Sequence, residues 1–328
     1  MRAWELKSLG DPWETLQIVK SNRKELAPRT VRIRVEATDL SFADILQCQG
    51  GYQEKIEPPF TPGMNAAGMV VEIGEDVDFK KGQRIVGPTL APFGGFADEA
   101  VLPSEHAQLI PDGVTCITAM GAHVTYGTAW FALHHRGLLQ PGETVLVLAA
   151  AGGVGSAALQ MAKARGCWVI AAAGDSEKTR ICTEMGADEV IDYETDDLYE
   201  SVMALTDNRG VDVVYDPVGG SFFNAARRLV AWEGRLLVIG FASGEIPSAR
   251  VNHALVKNYS IVGVHMGGYR QRHPDLVRRC YQELHQQLLT DVFRPFISEV
   301  IGFDLLPQYL QRLSMRATTG RIVLDPAQ

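Results

Sequence analysis

Three glycines within a short run of small residues are the positions best suited to hold a phosphate-bearing cofactor. The run ends in Gly152, Gly153, Val154 and Gly155. It follows an apolar stretch at 144–149 and precedes a helical pattern over 154–165. Glycine at a strand-to-helix turn lets the backbone approach a pyrophosphate, and the helix N-terminus supplies amide N–H groups. A complete Gly-x-Gly-x-x-Gly pattern would begin at Ala150, so the run predicts dinucleotide binding with an ordinary tight turn as the alternative.

The residues after the next predicted strand bear on which dinucleotide binds. NAD enzymes usually carry an acidic residue there to hold the ribose hydroxyls, but this chain has Ala173 and Gly174. Ser176 and Lys178 follow and are suited to bind a 2′-phosphate. The acidic Asp175 favours NAD(H) instead, unless its carboxylate caps the next helix. We therefore expect NADP(H), while a solvated helix face is the alternative role for Lys178.

Strands and helices alternate from about residue 122 onward, and they must position these residues. The predicted strands are 144–149, 168–172, 189–192, 211–215, 235–240 and 260–264. The predicted helices are 125–136, 154–165, 176–185, 198–205 and 222–231. This alternation predicts an α/β architecture built on a doubly wound parallel sheet.

The regions on either side of this alternation have a different pattern. Strands at 31–35, 69–73 and 84–86 are separated by frequent turns, which predicts a small sandwich or barrel-like domain. After residue 268, helices at 274–289 and 307–315 and a strand at 321–324 are expected to return to that domain. The expected division is residues 1–122 with 268–328, and residues 123–267.

Composition excludes several classes of protein. The chain has 328 residues and a formal net charge of −8, which argues against a general nucleic-acid binder. No apolar run approaches the roughly 18 residues of a membrane span, so no membrane association is expected. Five dispersed cysteines without CxxC spacing favour a reduced, cytoplasmic protein over a disulfide framework.

Three motifs together resemble a known family. Residues 149–155 (AAAGGVG), 215–220 (YDPVGG) and 240–244 (GFASG) follow a β-rich first domain. In this order they resemble the medium-chain dehydrogenases/reductases, and most closely the zinc-free NADPH:quinone oxidoreductases of the zeta-crystallin type. The resemblance covers essentially the whole chain. It implies a GroES-like catalytic domain plus a Rossmann domain, and a homodimer or tetramer.

The resemblance also implies roles for particular residues toward NADPH. Thr128 and Gly152–Gly155 would meet the nicotinamide and the phosphates. The residues expected at the adenosine 2′-phosphate are Gly174, Ser176, Lys178, Tyr193 and Arg316. The residues expected beside the nicotinamide are Gly240, Phe241 and the segment Val264–His265.

The positions of the zinc ligands in related alcohol dehydrogenases are changed in this chain. Ser41 stands in place of the cysteine, Met64 in place of the histidine and Asn65 in place of the following glutamate. Serine and methionine do not form a normal zinc site, which requires thiolate and imidazole ligands. Residues 87–115 contain no cysteine for a structural zinc loop. No metal is therefore expected, and Ser41, Asn65 and His265 are predicted to line the substrate site.

Tyr52 is the candidate catalytic residue. It follows Gly50 and Gly51 and matches a family tyrosine whose hydroxyl is suited to hydrogen-bond a substrate carbonyl. The alternative is a half-buried tyrosine that only packs. For His265, the alternative is a structural role without contact to the substrate. The chain contains no Gly-x-Ser-x-Gly motif, so the sequence does not support a hydrolase.

These observations favour a reductase that moves hydride from NADPH to a quinone or an enone. The alternative is an NADPH-binding protein with little turnover, crystallin-like or RNA-associated, although the acidic charge disfavours RNA. A third interpretation is reduction of acyl-CoA enones, which would require a basic patch for the carrier's phosphates. The sequence alone does not show such a patch.

Overall fold

A computed structural model describes residues 1–328 and divides them into two compact units. The first unit contains Met1–His123 and Tyr281–Gln328, and the second contains Val124–Cys280. Residues 268–280, expected in the first domain, group with the second unit instead.

The secondary structure contains fifteen strands and eleven α-helices. The strands are β1 (Arg2–Leu6), β2 (Leu16–Lys20), β3 (Thr30–Asp39), β4 (Asn65–Ile73), β5 (Arg84–Pro88), β6 (Glu99–Pro103), β7 (Gln108–Leu109), β8 (Thr144–Leu148), β9 (Trp168–Ala173), β10 (Glu189–Asp192), β11 (Val211–Asp216), β12 (Val230–Val238), β13 (Ser260–Gly263), β14 (Ile297–Gly302) and β15 (Arg321–Asp325). The α-helices are α1 (Pro12–Thr15), α2 (Phe42–Cys48), α3 (Cys116–Ala129), α4 (Gly153–Ala164), α5 (Ser176–Glu184), α6 (Leu198–Leu205), α7 (Gly220–Leu229), α8 (Val251–Lys257), α9 (Gly267–Arg272), α10 (Pro274–Leu289) and α11 (Leu306–Ser314).

The second unit is built on a six-stranded parallel sheet in the order β10-β9-β8-β11-β12-β13. This is the strand order of a Rossmann dinucleotide-binding fold. Every residue of β8 is buried, as expected for a central strand that is covered on both faces. The predicted doubly wound parallel sheet is therefore confirmed.

The first unit contains a seven-stranded sheet in the order β14-β15-β3-β4-β5-β7, in which β6 also pairs with β3. Alternate residues of β3, including Val31, Ile33 and Val35, enter one apolar core. The C-terminal strand β15 pairs with β3, so the tail returns to the first unit as expected. Arg321 of β15 and Asp39 of β3 form a buried ion pair at this junction.

Some elements differ from the sequence expectations. The helix predicted over 125–136 begins earlier, at Cys116, and its last turns, Trp130–Arg136, are a π-helix. The helix predicted over 222–231 ends at Leu229, because residues 230–231 already belong to β12. Nine short elements with weak periodicity were not predicted, and they are β1, α1, β2, α2, β6, β7, α8, α9 and β14. No helix has both the length and the hydropathy needed to cross a membrane.

Candidate functional site

The turn between β8 and α4 brings the backbone of the glycine run to the carboxyl end of a central strand. Gly152 is the N-cap of α4, and its N–H donates to the Ala149 carbonyl at 2.9 Å. A Cβ atom at Gly155 would collide with that same carbonyl oxygen and would lie 2.8 Å from the Ala150 Cα. Only glycine therefore lets α4 begin this close to the strand. The first amides of α4 then lie at the carboxyl edge of the sheet, an arrangement that is suited to the pyrophosphate of a dinucleotide.

Most other predicted cofactor residues of this unit lie where neighbouring strands end. Gly174 follows β9, Tyr193 follows β10, and Gly240 with Phe241 follows β12. His265 lies two residues beyond the end of β13. Because the strands are parallel, these positions share the carboxyl edge of the sheet, where α/β folds of this type bind ligands. Thr128 is half-buried in the last turn of α3, next to the π-helix.

The residues expected at the 2′-phosphate form a cluster that contains both signs of charge. Asp175 caps α5 by accepting from the Lys178 N–H at 2.9 Å, and it also accepts from Lys178 Nζ at 2.7 Å. These hydrogen bonds hold the pKa of Asp175 below its usual range and raise the pKa of Lys178. Asp175 adopts φ 57°, a left-handed conformation that few residues other than glycine take. The helix-cap role that would reconcile Asp175 with NADP(H) is therefore present, but the same carboxylate also pairs with the lysine.

Tyr193 and Glu194 complete this cluster. A Cβ atom at Gly174 would lie 2.9 Å from the Tyr193 ring and 2.7 Å from a Glu194 carboxylate oxygen. Sequence reasoning missed Glu194, because nothing in its local pattern shows that β10 ends beside β9. Ser176 is exposed at the start of α5. A 2′-phosphate in this cluster would meet Lys178 together with two nearby carboxylates.

In the first unit, a buried carboxylate joins two of the positions that correspond to zinc ligands. Asp44 Oδ2 accepts from Ser41 Oγ at 2.5 Å and from the Ser41 N–H at 2.9 Å. Asp44 Oδ1 accepts from the Met64 N–H at 3.0 Å. Burial raises the pKa of Asp44 to about 6, although these hydrogen bonds act to lower it. Sequence reasoning missed Asp44, yet the Ser-x-x-Asp spacing of a capping box at α2 was a signal for it.

The remaining predicted residues of the first unit lie at separate places. Asn65 begins β4 and is 7% exposed, and its Oδ1 has no hydrogen-bond partner within the protein. Tyr52 is half-buried beyond the end of α2, where its N–H donates to the Leu46 carbonyl at 3.2 Å. Arg316 is exposed in the turn after α11. The structure thus joins Ser41 to the Met64–Asn65 segment through Asp44.

The side chains do not offer a zinc site. No group of three or more histidine, cysteine, aspartate or glutamate residues is arranged to hold a metal ion. At the corresponding positions, Ser41 and the Met64 backbone both bind Asp44. Cys48 in α2 is buried, and desolvation together with the Asp44 charge raises its pKa to about 12, so it is not a ready thiolate ligand.

Comparisons with known proteins agree with this architecture. Residues 27–112 match the model of the alcohol dehydrogenase GroES-like domain, and residues 153–282 match the zinc-binding dehydrogenase model. Quinone oxidoreductase-like protein 2 of Bos taurus is 40% identical over 312 residues, which cover 94% of this chain and 89% of that protein.

Two solved structures of quinone oxidoreductases are similar along the whole chain. The Escherichia coli enzyme, complexed with NADPH, aligns with a TM-score of 0.91 at 25% identity and covers 99% of this chain and 100% of that one. The Thermus thermophilus enzyme, described alone and with NADPH, aligns with a TM-score of 0.84 at 32% identity, with the same coverage.

The mixed cluster around Lys178 predicts how cofactor preference responds to mutation. Lys178→Glu should weaken NADPH binding roughly 10–150-fold, because it removes a charge-assisted hydrogen bond, and should affect NADH much less. Asp175→Asn keeps a capping side chain but releases Lys178, so it should strengthen NADPH binding and leave NADH binding nearly unchanged. Fluorescence titration of both cofactors measures these effects. Arg180→Glu, on the same helix but paired with Glu184, is the matched control. Equal losses of NADPH and NADH binding in Lys178→Glu would contradict the assignment.

The Ser41–Asp44–Met64 arrangement predicts that the purified, untagged protein contains no stoichiometric zinc. Elemental analysis by mass spectrometry measures the metal content, and activity before and after a chelator provides the functional readout. One zinc per chain, or activity that is lost to the chelator and restored by zinc, would show that this prediction is wrong.

Proposed function

The chain belongs to the medium-chain dehydrogenase/reductase family, and we propose that it is an NADPH-dependent oxidoreductase that transfers hydride to quinones or other conjugated carbonyl compounds without zinc. The observation that carries this proposal is the glycine turn at Gly152–Gly155, placed at the carboxyl edge of a Rossmann sheet. The NADPH complex of the similar Escherichia coli enzyme supports the choice of cofactor.

The residues at the carboxyl edge of the sheet fit NADPH. When bound, the cofactor supplies the hydride, while the protein supplies binding and orientation. The first amides of α4 would hold the pyrophosphate, and Lys178 with Tyr193 would hold the phosphorylated ribose. Phe241 and His265 would lie beside the nicotinamide. The expected role of Arg316, which is exposed in the first unit, stays a prediction from the family resemblance.

The proposed substrate class follows from the groups near Ser41. Because Ser41 and Met64 do not fit a zinc ion that would polarise a carbonyl, we propose a substrate that delocalises negative charge over its own conjugated system. Hydrogen-bond donors must then stabilise the developing oxyanion, and we assign this role to the Tyr52 hydroxyl. The buried amide oxygen of Asn65 has no protein partner, and a bound substrate or water would satisfy it. We assign delivery of the proton to solvent.

Turnover separates this proposal from its rival, an NADPH-binding protein with little activity. Stopped-flow measurement of NADPH oxidation with a panel of quinones and enones is the test. We expect rapid, substrate-dependent loss of NADPH absorbance with at least one compound of the panel. Tight NADPH binding without oxidation by any of them would favour the binding protein.

Tyr52→Phe tests the oxyanion role directly, because it removes the hydroxyl and keeps the ring. Loss of such a donor costs up to about 10²–10³ in kcat. We expect a loss of roughly tenfold for a quinone, which spreads charge over its ring, and a larger loss for an enone. NADPH affinity should stay nearly constant. If kcat/KM equals that of wild type for both substrates, Tyr52 only packs and the site works by positioning.

We also propose that the protein is a homodimer, or a tetramer built from dimers, and that it is cytoplasmic. The strand β13 forms one edge of the six-stranded sheet, and unpaired edges are templates for association. Exposed apolar side chains concentrate in the same stretch of the chain, at Ile246, Val251, Leu255, Val256 and Ile261. A second copy of this chain would bury them.

All five cysteines are buried and none forms a disulfide, which is typical of a reducing compartment.

Light scattering after size-exclusion chromatography tests the dimer. We expect a mass near twice the chain mass of 35.9 kDa. The double variant Leu255→Glu/Val256→Glu should shift the protein toward monomer, because it places charge on side chains that are 78% and 68% exposed in one chain. Ile18→Glu, at a position 47% exposed in β2, should keep the wild-type mass. A monomeric wild type at micromolar concentration would refute this face as an interface.

A further inference from the structure

A pocket beyond the end of β13 gathers positive charge in a chain whose net charge is −8. It has a volume of about 290 Å³. The side chains that line it are Arg136, His265, Tyr269, Arg272 and His273, and none of its lining residues is acidic. The volume is just below the roughly 300–1,000 Å³ range of small-molecule sites. The pocket therefore fits one part of a ligand, and that part is anionic.

The two guanidinium groups of the pocket make hydrogen bonds to backbone carbonyls. Arg136 Nε donates to the Gly263 carbonyl at 3.3 Å, and Arg272 Nη1 donates to the Gly268 carbonyl at 3.2 Å. A guanidinium has five N–H donors, so most donors of both residues remain for a ligand. By contrast, the exposed Arg278 of the following helix pairs with Asp275 at 2.9 Å. The positive charge in the pocket is held in place by neutral oxygens and is not neutralised by them.

The backbone is shaped to bring these groups together. A Cβ atom at Gly268 would lie 3.0 Å from His265 Nδ1 and 3.2 Å from Arg272 Nη1. The imidazole and the guanidinium thus converge on a position where a larger residue would push them apart. Burial lowers the pKa of His135, which precedes Arg136 in the chain, and the nearby charges of Arg136 and His273 act in the same direction.

This pocket is separate from the positions assigned to the phosphates of NADPH. The pyrophosphate turn follows β8, and the Lys178 cluster follows β9. Three strands, β8, β11 and β12, lie between β9 and β13. At about 4.8 Å per strand, the two strand ends are about 19 Å apart. The anion that fits the pocket is therefore not the 2′-phosphate.

We propose that this basic pocket binds the phosphate-bearing tail of the substrate, and that the substrate is an α,β-unsaturated thioester of a phosphorylated carrier such as coenzyme A. Paired arginines suit a phosphate, because each presents donors in a planar fork. The inference rests on the proposed function in one respect, since His265 lines the pocket and is also assigned to the nicotinamide region. The pocket therefore begins next to the expected site of hydride transfer.

The reaction balances without any further reactant. The β-carbon of the thioester accepts a hydride with its two electrons, and the carbon–carbon double bond becomes single. The α-carbon takes a proton from water, and NADPH is left oxidised as NADP⁺. The phosphates take no part in the chemistry and contribute binding alone.

A matched pair of substrates tests the assignment by turnover. Crotonyl-coenzyme A carries the phosphates, whereas crotonyl-pantetheine has the same reacting group and none. In the wild type, kcat/KM should be about tenfold to a hundredfold higher for the coenzyme A thioester. Arg136→Gln and Arg272→Gln should each reduce that ratio severalfold, mainly through KM, and the double variant should bring it close to one. Arg278→Gln removes the same charge outside the pocket and should keep the wild-type ratio.

A binding measurement separates failure of this inference from failure of the proposed function. Calorimetry of coenzyme A with NADP⁺-saturated protein should show one site per chain, weakened at least tenfold in Arg136→Gln/Arg272→Gln and unchanged in Arg278→Gln. If this binding occurs but no compound is reduced, the pocket stands and the proposed function falls. If quinones and both crotonyl thioesters are reduced equally well and coenzyme A does not bind, the function stands and the pocket inference is overturned.

Discussion

The close approach of α4 to the end of β8 is the constraint on which the candidate site depends. Gly155 has no side chain, so the helix starts against the Ala149 carbonyl and directs its first amides to the carboxyl edge of the sheet. The parallel pairing of β8 with β9 and β11 then places the following strand ends along the same edge. A β-carbon at this one position would displace the helix, and the amides that we assign to the pyrophosphate would move with it.

The local charge along that edge differs between the end of β9 and the end of β13. Beyond β9, Lys178 is held by Asp175 and has Glu194 nearby, so a 2′-phosphate bound there would compete with carboxylates. Beyond β13, Arg136 and Arg272 are bound only to backbone carbonyls and retain their charge for a ligand. The net charge of −8 for the whole chain does not predict the local charge at either place. Local pairing, and not overall charge, therefore decides where an anion is favoured.

In the first unit, a hydrogen-bond network occupies the positions that correspond to zinc ligands. Asp44 collects donors from Ser41 and Met64, so the positions that correspond to zinc ligands are joined by a buried carboxylate. Its raised pKa shows that burial outweighs these hydrogen bonds. The network also holds the backbone at Met64, next to the buried Asn65.

The sequence by itself determined the Rossmann sheet, the glycine turn and the return of the C-terminal strand, because each has a strong local signal. The apolar run of β8 and the small residues before α4 are of this kind, and β10, α6 and α10 have the predicted bounds. Only the tertiary structure showed Met64 bound to Asp44 of the capping box, Glu194 beside Gly174, and Arg136 with Arg272 around one pocket. These groups are distant in sequence or lie in short elements of weak periodicity, such as α9. Their proximity comes from strand pairing and packing, which local spacing does not encode.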